Sequence, residues 1–408
     1  MPVLDLPFIR AQFPALASNF VYLDNAGGSQ CLGRVADRIR DYLVTTPVQL
    51  GASYAVSQVA GEKVLAARRA VAGLINAAHD EEVVMGGATT LLMFQVTQAI
   101  RAGVRPGDEI IVTDTDHEAN IGAWGRLAEA GAVIRFWRMR PETMRLELGD
   151  LQALLNDRTR WVAMTQASNV LGAVNPVAEV AALVHAAGAR LCVDAVAYAP
   201  HRLVDVQASG ADLYVFSFYK VFGPHYAVLW GPRELLLSLA SLNHDFIPPN
   251  TLPYKLQPGN VNYELSWGCA GIADYLVEVG ESLGVAGGGR ACMQAAFHAF
   301  ERHEDALAER LLGFLASKPG VKLVGPASTR GGQRVPTISF VAVGRHSETI
   351  VRQVDPHRIG IRFGDFYARR LIDNLGLRER GGVVRVSIAH YNTAEEIDRL
   401  IAVLEPLL

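Results

Sequence analysis

Apolar positions recur along this chain with two alternating periods. Residues 83–86, 108–117, 159–165, 189–194 and 211–217 are short runs rich in Val, Ile, Leu and Phe, the pattern of strands buried on both faces of a parallel sheet. Between and before them, residues 35–44, 58–76, 91–102 and 175–188 carry apolar side chains at helical spacing. Asn175-Pro176 opens the last of these with a capping residue and a first-turn proline, and Gly188 closes it. Alternating strands and helices of this kind predict an α/β fold, a mostly parallel sheet flanked by helices. Residues 227–231 follow the turn signal Gly223-Pro224 and read as an antiparallel edge strand. Residues 246–264 are proline-rich and aperiodic, too long for a simple connector. From about Trp267 the chain is helical, breaks at 284–289 and resumes at 291–317. Runs at 321–324, 337–341, 359–362 and 383–388 then alternate with helical segments, which suits a smaller α+β domain. The expected division is a leader over 1–20 with a short helix packed on the small domain, a large domain over 21–265 and a small domain over 266–408.

A chain of 408 residues accommodates such a large domain with a smaller one appended, and with half its residues hydrophobic it can bury a sizeable core. The net charge of −3 and the absence of any Lys/Arg run argue against nucleic acid or a membrane surface as partner, and leave small molecules. Four cysteines (Cys31, Cys192, Cys269, Cys292) have neither metal-type nor C-x-x-C spacing. No run reaches membrane-spanning length, and no basic segment followed by an apolar run opens the chain, so a cytoplasmic location is expected.

Candidate chemistry sits at the strand ends. Lys220 follows Ser217 in an aromatic and apolar run, Phe218, Tyr219, Val221 and Phe222. Partial desolvation there lowers an amine's pKa and favours the neutral nucleophile that builds a Schiff base with an aldehyde. Alone, such a lysine is more often one that reaches out to solvent. Asp194 ends the strand before it, His117 and Asn169 end two others, and Thr89-Thr90 stand between a two-glycine strand end and a helix, where free N–H groups favour an anion. Ligands of open parallel sheets bind beyond the carboxyl ends of the strands, so polar groups at several of those ends point to one site. No G-x-G-x-x-G follows the first strand, which excludes a dinucleotide-binding dehydrogenase.

Five segments, Val193-Asp194, Ser168 to Gly172, Asp116 to Ile121, Phe216 to Lys220 and Arg385 to Thr393, resemble the ordered motif set of the class V aminotransferases. The cysteine desulfurase-like branch is the nearest, and the resemblance runs from about Tyr22 to the C-terminus. It implies pyridoxal phosphate enzymes of fold type I, with a seven-stranded, mostly parallel sheet and a smaller C-terminal α+β domain. It also implies roles. Lys220 would hold pyridoxal phosphate as an imine and move the substrate's α-proton, and Asp194 would keep the ring nitrogen protonated. His117 would stack on the ring, Asn169 would bond its hydroxyl, and Thr89, Thr90 and Ser217 would hold the phosphate; Tyr219 stands where the family has a histidine and could reach the phosphate through its hydroxyl. Asn262 and Tyr263 would reach the partner's phosphate in a homodimer with a shared active site. Asn25, Ala26, Gly27, Tyr54, Arg362 and Tyr367 would line the substrate, and Arg385 would clamp its carboxylate.

Two departures bear on the reaction. Tyr367 stands where a desulfurase carries its loop cysteine, and Ala197 stands where a side-chain donor to the ring oxygen is expected, leaving Tyr198 or His201 as substitutes. The resemblance therefore implies an enzyme acting on a small α-amino acid, by C–S lyase-type chemistry or β/γ-elimination and replacement without the usual cysteine. Aminotransfer and racemisation or epimerisation are the alternatives, and a non-catalytic binding relative is the remote one.

Overall fold

The computed structural model describes residues 4–408. In chain order its strands are β1 (Val21–Tyr22), β2 (Val83–Gly86), β3 (Glu109–Thr113), β4 (Val133–Trp137), β5 (Thr159–Thr165), β6 (Arg190–Asp194), β7 (Leu213–Ser217), β8 (Ala227–Trp230), β9 (Val321–Val324), β10 (Thr337–Ala342), β11 (Ile359–Gly360), β12 (Arg362–Gly364) and β13 (Val383–Ser387). Seven of them form one sheet in the order β2-β8-β7-β6-β5-β3-β4. Strands β4, β3, β5, β6 and β7 pair in parallel, and β8 runs against both of its neighbours.

Alternation along these strands explains how the sheet is covered. Met85, Ile111, Val162, Val193, Tyr214 and Phe216 face one apolar cluster. Their neighbours Val84, Ile110, Val112, Ala163, Cys192 and Val215 face another on the opposite side. Successive side chains point to opposite faces, so both layers of helices find apolar surface to bury.

Strand β8 corrects one expectation. It lies inside the sheet, buried at all four positions, and β2 forms the edge beyond it. The tight turn after β7 explains the reversal, while a strand more than a hundred residues upstream covers its far side. Strand β4 has an alternating, half-exposed pattern at the other edge and was not separately legible.

The small sheet has the order β12-β13-β10-β9, with its own core of Ile338, Phe340, Val384, Val386, Leu400 and other residues. Strand β1 pairs in parallel with β11, fastening the start of the chain to this C-terminal region. In the leader, Asp5 caps the helix Leu6–Ala11. Phe13 packs against Phe222, Tyr275, His390 and Tyr391, with the last centroid 4.8 Å away. Arg10 donates to the Tyr391 carbonyl at 2.7 Å and pairs with Glu396 at 2.9 Å. The helix Tyr263–Ser282 begins four residues before Trp267, capped by the Asn262 side chain, and runs unbroken through the division expected at 265/266. Among the described residues no helix is long and apolar enough to cross a membrane.

Candidate active site

The carboxyl ends of β5, β6 and β7 and the N-terminus of the helix Thr89–Arg101 converge on one concave cavity, the usual form of a small-molecule site. Thr89, Thr90, His117, Asn169, Asp194, Ser217, Tyr219 and Lys220 all line it. Sheet register brings them together: Thr165 lies opposite Asp194, and Asp194 opposite Val215, two residues before the end of β7.

Lys220 sits in the short 3-10 turn Phe218–Lys220 and is 6% exposed. Burial, then the Arg385 guanidinium, lowers its amine to about 8, against the opposing pull of Asp194 and Asp24. Asp194 accepts one backbone N–H, from Val196 at 2.9 Å, and burial raises its carboxyl above the ordinary range. A carboxylate so placed ionises fully only against a nearby cation. Behind it, burial pushes Asp116 up to about 7, and Asp116 takes hydrogen bonds from Thr113 and from Asn120 at 2.7 Å. His117 is held near 4 by burial and by the charges of Lys220 and Arg385. Its Nδ1 accepts the Ala119 N–H at 3.0 Å, so the ring is neutral with a fixed tautomer and offers a flat face.

At the phosphate-type end, the Thr89 and Ser217 hydroxyls lie 2.6 Å apart, beside the first turn of a 13-residue helix whose opening N–H groups have no helical partner. Tyr219 stacks on His225 with ring centres 4.9 Å apart. Arg385 does not itself line the cavity; it is 2% exposed and adjoins the lining through Asn169. It donates to Asp24 Oδ1 at 2.9 Å and to the Asn169 carbonyl at 3.2 Å, and its guanidinium lies 3.7 Å from the centre of the Phe366 ring. Arg385 Nε and Asn169 Oδ1 are buried without a protein partner. These orphans, a buried amine of lowered basicity, a carboxylate awaiting a cation and an anion cradle are the groups that pyridoxal phosphate with an amino acid would satisfy.

Several expected residues lie elsewhere. His201 is turned away from the cavity, its Nδ1 3.1 Å from the fully buried Glu304. Tyr198 lines an outer cleft, so neither replaces the donor missing at Ala197. Asn25 has spent its side chain: its amide donates to Tyr22, Ser387 and Asn392, and its oxygen accepts the Tyr391 hydroxyl at 2.6 Å. Ala26 N donates to Ser387 Oγ and Gly27 N to the Asp24 carbonyl. That loop therefore presents Asp24 to Arg385 and does not line the cavity. Tyr54 is half exposed at the start of the helix Ala55–Ile75. Asn262 caps the helix Tyr263–Ser282, and the Tyr263 hydroxyl donates to Gln49 at 3.2 Å; their expected role is in the partner's site, which one chain does not display. Arg362 is exposed, 3.8 Å from Asp24. Tyr367 is 70% exposed, its ring 5.2 Å from that of His117. Asp24 and Phe366 are contacts that sequence reading missed. The acid before Asn25 was a signal in the first case; Phe366 carried none.

Comparison with known proteins agrees with this geometry. The family model for class-V aminotransferases matches residues 21–264 and 266–400. An aminotransferase-like protein of Gibberella zeae is 41% identical, covering 98% of both chains. A cysteine desulfurase of Pectobacterium atrosepticum is 33% identical over 97% of this chain and 96% of its own. Among solved structures, the cysteine desulfurase CsdA of Escherichia coli superposes with a TM-score of 0.85 at 28% identity, covering 99% of this chain and 98% of the other. The chain belongs to the class V aminotransferase family, in its cysteine desulfurase-like branch.

Proposed function

We propose that the protein is a pyridoxal-phosphate enzyme that acts on a small α-amino acid by C–S lyase-type or β/γ-elimination and replacement chemistry. The observation that carries the cofactor assignment is Lys220, a buried amine at the end of β7 whose basicity is lowered to about 8, facing Asp194 across one cavity. Pyridoxal phosphate, when bound, draws electrons from the substrate's α-carbon. The chain's own groups do the rest. Lys220, neutral in an appreciable fraction near physiological pH, takes and returns the α-proton at Nζ. Asp194 stays ionised opposite a protonated ring nitrogen. His117 is uncharged and supplies its flat face. Thr89, Thr90 and Ser217 hold the phosphate, and Arg385 uses its free Nε edge for the substrate carboxylate.

Tyr367 supports the choice of reaction. A phenol cannot accept sulfur as a persulfide, whereas a thiolate can, so any sulfur removed from substrate leaves as a free product. Exposed Phe246 and Tyr254 on the proline-rich loop favour a homodimer, with assembly tested by sedimentation.

The visible spectrum of the purified protein tests the reading, taken before and after each amino acid of a panel including cysteine, with sulfide, pyruvate and ammonia assayed in parallel. Release of these products supports a lyase. Conversion to a colourless cofactor form that a keto acid reverses assigns aminotransfer instead, and a protein that binds no pyridoxal phosphate refutes the proposal.

A further inference from the structure

Phe366 touches two groups on which the proposed chemistry depends. Its ring lies 3.7 Å from the Arg385 guanidinium, and its carbonyl accepts from Asn169 Nδ2 at 2.8 Å. Arg385 Nη1 in turn donates to the Asn169 carbonyl at 3.2 Å, which closes a small circuit of three residues from β13, the loop after β5 and the loop after β12. An arginine has four side-chain torsions to fix. Asp24 takes one hydrogen of Nη2, the Asn169 carbonyl takes one of Nη1, and the Phe366 ring occupies one face. The Nε–H remains, buried and unpartnered, with the spare Nη hydrogens. These are the donors the protein leaves for a carboxylate.

The segment carrying Phe366 is held in a costly shape. Phe366 and Tyr367 have φ of 52° and 60°, the left-handed region that residues with a Cβ adopt only under outside constraint. The constraints are visible. Tyr367 N donates to Asp365 Oδ1 at 3.0 Å, Ala368 N to the Asp365 carbonyl at 2.9 Å, and Glu118 N to the Tyr367 carbonyl at 2.8 Å. This strap is pinned to the helix that His117 caps, with the Tyr367 ring 5.2 Å from that of His117.

We propose that Phe366 is a positioning residue that sets the plane of Arg385 and so selects ligands bearing an α-carboxylate. The inference rests on the amino-acid chemistry proposed above. Cation–π contacts in desolvated surroundings correspond to roughly ten-fold in an equilibrium constant.

The test compares Phe366→Leu, which keeps an apolar side chain without a π face, with Phe366→Tyr, which keeps the face. Cofactor-loaded protein is titrated with L-alanine and with ethylamine, its counterpart lacking the carboxylate, and visible absorption is followed. Phe366→Leu is expected to weaken L-alanine roughly ten-fold and ethylamine less than two-fold, with Phe366→Tyr close to wild type for both. Equal shifts for the two ligands, or none, overturn the inference. A cofactor-independent arm measures labelling of Arg385 by phenylglyoxal, read by peptide mass spectrometry. Faster labelling in Phe366→Leu than in both wild type and Phe366→Tyr supports the assignment, and equal rates overturn it. A wild-type protein that takes up no pyridoxal phosphate sinks the proposed function, while the labelling arm still judges Phe366.

Discussion

Replacing Lys220 by methionine should stabilise the cofactor-free protein, and the gain should shrink as pH rises. The amine is 6% exposed, and burial with Arg385 lowers it from 10.5 to about 8. Between those values the folded protein binds one proton fewer than the unfolded chain, so stability rises with pH through that window. Below about pH 8 the folded state carries the full cost of the buried charge. At 1.36 kcal/mol per pKa unit, that cost is ~3 kcal/mol at pH 7 and less than half of it at pH 9.5. Methionine has similar length and no charge, so Lys220→Met removes the cost without opening a cavity. With an unfolding entropy of ~0.9 kcal/mol/K for a chain of this size, the gain corresponds to a Tm rise of ~3–4 °C at pH 7. Differential scanning calorimetry at pH 7 and 9.5 provides the comparison. A gain of equal size at both pH values, or a loss at pH 7, would refute the view that Lys220 is held uncomfortably charged for the sake of its chemistry.

Other expectations concern packing and the clamp. Arg385→Lys keeps the charge but loses the planar fork, so KM for the amino acid should rise ~10–100-fold with a smaller change in kcat, and steady-state kinetics would show it. Gly280 lies in the helix Tyr263–Ser282, where a Cβ would collide with the Cys292 backbone; Gly280→Ala should lower Tm although alanine is the better helix former. Gly73, in the helix Ala55–Ile75 with open space around it, should show the opposite sign, with Gly73→Ala adding ~1 kcal/mol by the same thermal assay. Glu304 is fully buried against His201 and 3.7 Å from Arg202, so Glu304→Ala should cost ~3–5 kcal/mol; a Tm change under 1 °C would contradict that.

What could be read from the chain followed from local physics. Buried parallel strands announce themselves as apolar runs, and the residues at their ends, His117, Asn169, Asp194 and Lys220, could be named because the topology sends those ends to one place. Strand β8 was placed wrongly because its reversal is local while its second neighbour is not. Asn25 looked like a substrate contact because a polar residue in a glycine turn is ambiguous until its partners are known, and Tyr391 and Ser387 lie more than 360 positions away. His201 failed for the same reason, since only the fold brings Glu304 beneath it. Phe366 was invisible, because a phenylalanine in a loop signals packing and nothing in its surroundings names an arginine.

The pairing of Asp24 with Arg385 joins positions 361 residues apart. Protein synthesis proceeds at ~5–20 residues per second, so roughly 20–70 s pass between the appearance of the two groups. The segments that carry Thr89 and Lys220 emerge well before β13 does. On the proposed chemistry a growing chain could acquire its aldehyde early, yet it would have no grip on an amino acid until the final strand arrives. Chains ended before β13 would then lack the arginine on which the proposed grip on the carboxylate depends.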